Sequence, residues 1–186
     1  YSENSGQFWS EEYANRVFEC LPENSAKQII VWNPGCAKGY ESYSLACVLK
    51  KRYPDSRIRI YAQDIDLLNV SNASLLTVPS EYASTWLEPF LTQNVSGVYV
   101  FIPEIKDMIM FEYHDCTNTN SLPNADLIFC RDLLSFLPED EQNAILLDFE
   151  DRLKGNGIMI LGENESLAGK MQWSENLIEN ISIYTK

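Results

Sequence analysis

Apolar positions come in short blocks along this chain, and their spacing changes from block to block. SEEYANRVFECL (10–21) sets its apolar residues at helical intervals behind Ser10, with acids in the first turn, and predicts an amphipathic helix capped by that serine. QIIVWN (28–33) is a continuous apolar run too short for a helix and predicts a buried strand. YESYSLACVLKKRYP (40–54) returns to a helix, ended at Pro54, with its basic residues in the last turns where they suit the dipole. RIRIYAQDID (57–66) predicts a second strand ending in acids, and LLNVSNASL (67–75) a short helix. ADLIFCRD (125–132) and GIMILG (157–162) read as further buried strands. Between them PEDEQNAILLDFEDRLK (138–154) predicts a helix with Pro138 near its first position and Gly155 as its C-cap. VSGVYVFIPEIKDMIMFEY (95–113) holds two β-type runs broken by Pro103 and predicts an antiparallel excursion, and the β-like LIENISIYTK closes the chain.

Strands alternating with helices, the strands themselves apolar, predict an α/β fold with a mostly parallel sheet covered on both faces. Such sheets bind ligands beyond the carboxyl ends of their strands. The first strand leads into NPGCAKGYESYSLA, where Gly35 and Gly39 bracket three residues and Glu41 follows. Asp64 ends the second strand, 25 residues past Gly39, a spacing that suits an acid accepting from ribose hydroxyls. There is neither a GxGxxG nor a GK[ST] motif, so a dinucleotide or triphosphate is poorly supported.

Composition narrows the classes. At 186 residues the chain suits one domain. Fourteen basic against 27 acidic residues give a net charge of −13, which repels nucleic-acid backbones and anionic lipid. No apolar run approaches the roughly 18 residues of a membrane span. The start at Tyr1, without an initiator Met or signal pattern, reads as a fragment of something longer. Five scattered cysteines predict reduced thiols in cytoplasm rather than disulfides. With His114 the lone histidine, no metal site is expected.

Four ordered blocks, GCAKGYESYSLA, YAQDID, DLIFCRDLLSFL and LKGNGIMILGENESL, are similar to the GCSxGEEPYSLA, ATDID, DxIFCRNVLIYF and LxPGGxLFLGHSESL of the CheR-type chemotaxis receptor methyltransferases. The resemblance covers residues 29 to 167 and implies a Rossmann-like S-adenosylmethionine-dependent methyltransferase fold. It further implies a helical lead-in over 1–27, a small antiparallel β insertion at about 93–113, and glutamate methylation on chemoreceptors. Gly35 and Gly39 would then line the methionine end of S-adenosylmethionine or its product S-adenosylhomocysteine, Glu41 would meet the ammonium, and Asp64 the ribose. Asp115 falls where the family has an Asn near adenine. Asp132 replaces the Asn of FCRN beside cofactor and active site.

The departures limit what carries over. The family's NxTxFFR corresponds to Asn4-Ser5-Gly6-Gln7-Phe8-Trp9-Ser10, so its Arg becomes Ser10. Its active-site Tyr aligns with Phe136. Loss of a bidentate carboxylate clamp costs about 2–4 kcal/mol of transition-state stabilisation, and Asp132 adds negative charge where an anionic acceptor approaches. On residue type alone Phe136, Tyr43, Leu45 and Val48 read as core, Cys36 and Cys130 as buried fillers, and His114 as structural. Two functions follow: a degenerate CheR-like domain acting as scaffold or interaction module among chemoreceptor-array proteins, with cofactor binding open, or an active protein-glutamate O-methyltransferase. The losses at Ser10, Asp132 and Phe136 favour the first.

Overall fold

A computed structural model describes residues 6–167 and 172–186. Among these residues nine strands form two sheets. The larger has seven: β1 (Gln28–Pro34), β2 (Arg57–Asp64), β5 (Ile109–Tyr113), β6 (Ala125–Cys130), β7 (Leu153–Leu161), β8 (Ser174–Ile178) and β9 (Ile181–Thr185). Their spatial order is β5-β2-β1-β6-β7-β9-β8. The first five run parallel, and β9 and β8 are antiparallel to their neighbours. The smaller sheet pairs β3 (Leu91–Gln93) with β4 (Tyr99–Phe101), antiparallel. The helices are α1 (Glu11–Cys20), α2 (Tyr40–Arg52), α3 (Leu67–Ala73), the single turn α4 (Pro103–Lys106) and α5 (Glu139–Arg152).

The central strands alternate their side chains between two cores, as the period of two requires. Ile29 and Val31 of β1, Leu127 and Phe129 of β6, and Ile158 and Ile160 of β7 join the core under α1 and α2. Ile30 and Trp32, Ile128 and Cys130, and Met159 and Leu161 join the core under α5. Both faces are covered, so the strands read as unbroken apolar runs. Tyr43, Leu45 and Val48 are fully buried, and the Tyr43 ring stacks on Phe101 at 4.5 Å, fastening the small sheet to α2.

Three boundaries differ from those read along the chain. Residues 95–113 do not form one insertion. Only Tyr99–Phe101 belongs to the small sheet, with Leu91–Gln93 as its partner, while Ile109–Tyr113 adds a parallel edge strand to β2. Pro103 separates the two by starting a helical turn. Gly155 is not the C-cap of α5: Leu153 caps it, and the chain passes straight into β7. The closing segment is a hairpin, β8 and β9, joined by Glu179 and Asn180, both at positive φ (50° and 60°), the backbone of a two-residue primed turn.

Candidate functional site

The strand order reverses between β1 and β6, and a cavity of about 470 Å³ opens there at the carboxyl ends of the strands. Gly35 follows β1 at φ +70°, a conformation few side chains tolerate. Asp64, at the end of β2, is 3% exposed and joins the two loops. Its Oδ2 accepts a hydrogen bond from Ala37 N at 2.8 Å and its Oδ1 one from Asp66 N at 2.8 Å. His114, Asp115, Cys116 and Thr117 form the wall after β5, and Asp132, Leu133 and Phe136 the wall after β6. Asp115 accepts from both the amide and the hydroxyl of Thr117, which hold its carboxyl below the usual carboxylate range.

Gly35, Asp64, Asp115 and Asp132 therefore line one cavity, whereas Gly39 and Glu41 stand outside its lining. Gly39 has φ +89°, and a Cβ there would lie 2.8 Å from Ala73 Cβ, so the close approach of α3 accounts for this glycine. Glu41 is instead paired with Arg131, which lines a neighbouring groove. Its Oε2 is 3.4 Å from Arg131 Nη1, and Arg131 lies over the Tyr13 ring at 4.4 Å. Burial pushes the Glu41 carboxyl up to about 7 against the pull of Arg131. Burial also opposes the charge on Arg131, yet Glu41, Tyr13 and Asp132 outweigh it and raise its pKa. Arg131 stays charged, and Glu41 is the member of the pair that titrates.

Ser10 is exposed and caps α1, accepting from Tyr13 N at 3.1 Å. It lines a second groove with Trp9, Tyr13, Arg16, Arg131 and Glu163 rather than the main cavity. Asn4 and Ser5 lie outside the described residues. Phe136, read as core, is instead 61% exposed at the cavity wall, because a 3-10 turn (Leu134–Phe136) buries Leu134 and turns the next two residues outward.

Two contributors escaped the sequence reading. Glu165, 8% exposed, accepts three amide hydrogen bonds, from Asp132 N (2.9 Å), Ser135 N (3.0 Å) and Gly162 N (2.9 Å), and so ties the loop after β6 to the loop after β7. It fixes Asp132 at φ 57°, a left-handed conformation that Asp and Asn adopt more readily than other side chains. Asn33, fully buried, donates to Phe129 O at 2.9 Å and accepts from Ser42 Oγ at 2.6 Å, locking β1, α2 and β6 together. The acid in GENESL was visible, but nothing local said that it would face amides 30 and 33 residues upstream.

All five cysteines are free, and burial pushes the thiols of Cys20, Cys36, Cys47 and Cys130 up, away from nucleophilic behaviour. Among the described residues no group of three His, Cys, Asp or Glu is placed to hold a metal, and no helix is long and apolar enough to cross a membrane. The cavity suits an adenosyl cofactor in size. His114 lines it, and its Nε2 is buried with no hydrogen-bond partner among the described residues, a donor or acceptor that a ligand would satisfy.

Comparison with known proteins gives the family and the fold. A family model described as "CheR methyltransferase, SAM binding domain" matches residues 3–183. The chain is 29% identical over 168 residues to an uncharacterized 104.1 kDa protein of Rhodobacter capsulatus, covering 84% of this chain and 17% of that protein. It is 24% identical over 172 residues to a chemotaxis protein methyltransferase of Listeria innocua, covering 89% of this chain and 64% of that one. The chain thus spans less than two thirds of these relatives. Among solved structures, the glycopeptide N-methyltransferase MtfA complexed with S-adenosylmethionine aligns with a TM-score of 0.57 at 10% identity, over 96% of this chain and 68% of that one. An S-adenosylmethionine-dependent methyltransferase from Clostridium acetobutylicum aligns with a TM-score of 0.53 at 16% identity, over 84% of this chain and 51% of that one. These two likenesses establish the fold.

Proposed function

Since the chain belongs to the CheR methyltransferase family and carries its S-adenosylmethionine-binding domain, we propose that it binds S-adenosylmethionine or S-adenosylhomocysteine in the cavity between β1 and β6. We propose also that its receptor-methylating chemistry is weak or lost, so that it serves as an interaction module among chemoreceptor-array proteins in the cytoplasm. Gly35, Asp64, Asp115 and Asp132 would hold the cofactor in the cavity, with Glu41 and Gly39 acting from behind the loop that follows β1. When bound, the cofactor supplies an electrophilic methyl on a sulfonium. The chain's own residues would orient it and exclude water around it.

One contrast carries this reading. The cofactor half of the site is an open cavity with a His114 nitrogen that has no partner among the described residues, while the positions that the resemblance assigns to the acceptor half hold Ser10 and Phe136 instead of Arg and Tyr. Ser10 spends its hydroxyl on the first turn of α1, and Phe136 offers the cavity wall a ring with no hydroxyl. Positioning is most of what methyl transfer to a carboxylate needs, since the nucleophile is already competent.

A second reading, an active glutamate O-methyltransferase, draws on Arg131. It is charged, 10% exposed, and lines the groove that Ser10 also lines, where a guanidinium could meet a carboxylate. Calorimetry with S-adenosylhomocysteine, followed by labelled-methyl transfer to receptor, separates the two. Micromolar binding without transfer is expected. Absence of heat would remove the cofactor from the proposal, and rapid transfer would replace the scaffold reading by the enzyme.

A further inference from the structure

Among the described residues the cavity is lined by four carboxylates, Asp64, Asp115, Asp132 and Glu141, and by no lysine or arginine. The nearest guanidinium along the chain, Arg131, is the neighbour of Asp132, but it is ion-paired with Glu41 and laid over Tyr13. Two of the four acids already have donors: both oxygens of Asp64 accept backbone amides, and Asp115 accepts from Thr117. Asp132 differs. Its backbone amide is held by Glu165, yet among the described residues its carboxylate accepts no hydrogen bond. Gly162 leaves room for that carboxylate, because a Cβ there would lie 2.5 Å from Asp132 Oδ1. An acid anchored through its backbone, with no hydrogen bond on its carboxylate and its charge opposed only by Arg131, which Glu41 already pairs, contributes a fixed negative potential to the cavity.

We propose that this cavity selects the cationic sulfonium form of the cofactor over its neutral demethylated product, and that Asp132 sets the preference. The proposal rests on the cofactor reading above and adds a ligand preference to it. S-adenosylmethionine carries a sulfonium, an ammonium and a carboxylate, a net charge of about +1 at neutral pH, whereas S-adenosylhomocysteine has a neutral sulfur and no net charge. Attraction between unit charges is several-fold larger in a partly buried site than in bulk water, so a difference of one charge becomes a difference in affinity. A domain with this preference stays loaded with the methyl donor instead of being held by spent cofactor.

The test is calorimetry on this 186-residue chain with three ligands: S-adenosylmethionine, S-adenosylhomocysteine, and sinefungin, which has an amine in place of the sulfonium. The two cationic ligands are expected to bind about tenfold more tightly than the neutral one. Asp132→Asn, isosteric and equally at ease at positive φ, should narrow the ratio to about two- to threefold with an unchanged thermal melt. Asp151→Asn, on the exposed side of α5 and outside the cavity lining, should leave it alone. Equal or tighter binding of S-adenosylhomocysteine, or a ratio that Asp132→Asn does not move, overturns the selectivity while cofactor binding stands. If none of the three ligands binds, the cofactor reading falls and this inference with it.

Discussion

The Asp64 carboxylate and the Ala37 amide, 27 residues apart in sequence, meet at 2.8 Å and close the loop after β1 onto the end of β2. Ala37 sits at φ 49°, a strained setting for a residue with a Cβ, and this hydrogen bond is among the forces that hold it there. In Asp64→Asn one of the two amide donors, Ala37 or Asp66, faces an NH2 group. The expected cost is about 1–3 kcal/mol, read as a thermal midpoint lower by several degrees. A midpoint within about one degree of the parent would show that the carboxylate is not what closes the loop.

The Glu41 carboxyl, raised from an ordinary 4.5 to about 7 by burial, makes stability depend on pH. Its folded value lies above its unfolded one, so its contribution is full below about 4.5 and is lost as pH rises through about 7. Glu41→Gln removes that titration. Urea unfolding across this window should show the parent falling relative to the variant by about 3 kcal/mol. Parallel curves for the two proteins would contradict the raised value.

Glu165 spans two loops through three amides. Glutamine supplies one acceptor oxygen and turns a pair of donors toward the rest. Glu165→Gln should therefore cost about 1–3 kcal/mol in urea unfolding, and weaken S-adenosylhomocysteine binding by freeing the Asp132–Phe136 wall. Loss of stability with affinity intact would make Glu165 a fold determinant only.

Two glycines at positive φ allow backbone strain to be separated from crowding. Gly97→Ala (φ +77°) meets open space and should cost only the backbone term, about 1–2 kcal/mol. Gly39→Ala (φ +89°) adds a methyl 2.8 Å from Ala73 Cβ and should cost about 1–3 kcal/mol more. Equal melting points for the two variants would mean that α3 yields freely.

Element types were legible where one local signal sufficed. The apolar run QIIVWN could only be a buried strand, and Ser10 with its trailing acids marked the start of α1, confirmed by its bond to Tyr13 N. Failures came where partner choice decided. IMFEY looked like part of an insertion because a β-type run does not say which strand it will join, and β2 had a free edge for it. Phe136 looked like core because hydrophobicity alone does not say which way a 3-10 turn faces. The hairpin at Glu179-Asn180 lacked the glycine that advertises a primed turn.

By itself the sequence determined the α/β class, the loop after β1 and the acid after β2, because these follow from local periodicity and from glycines spaced within one βα unit. Only the tertiary structure decided that Gly35, Asp64, Asp115 and Asp132 share a cavity while Gly39 and Glu41 stand behind it. It also decided that Glu165 pins the wall and that Arg131 pairs with Glu41. Those relationships join residues tens of positions apart. Their geometry is set by which strands lie side by side at the reversal of the sheet, and no local pattern encodes that.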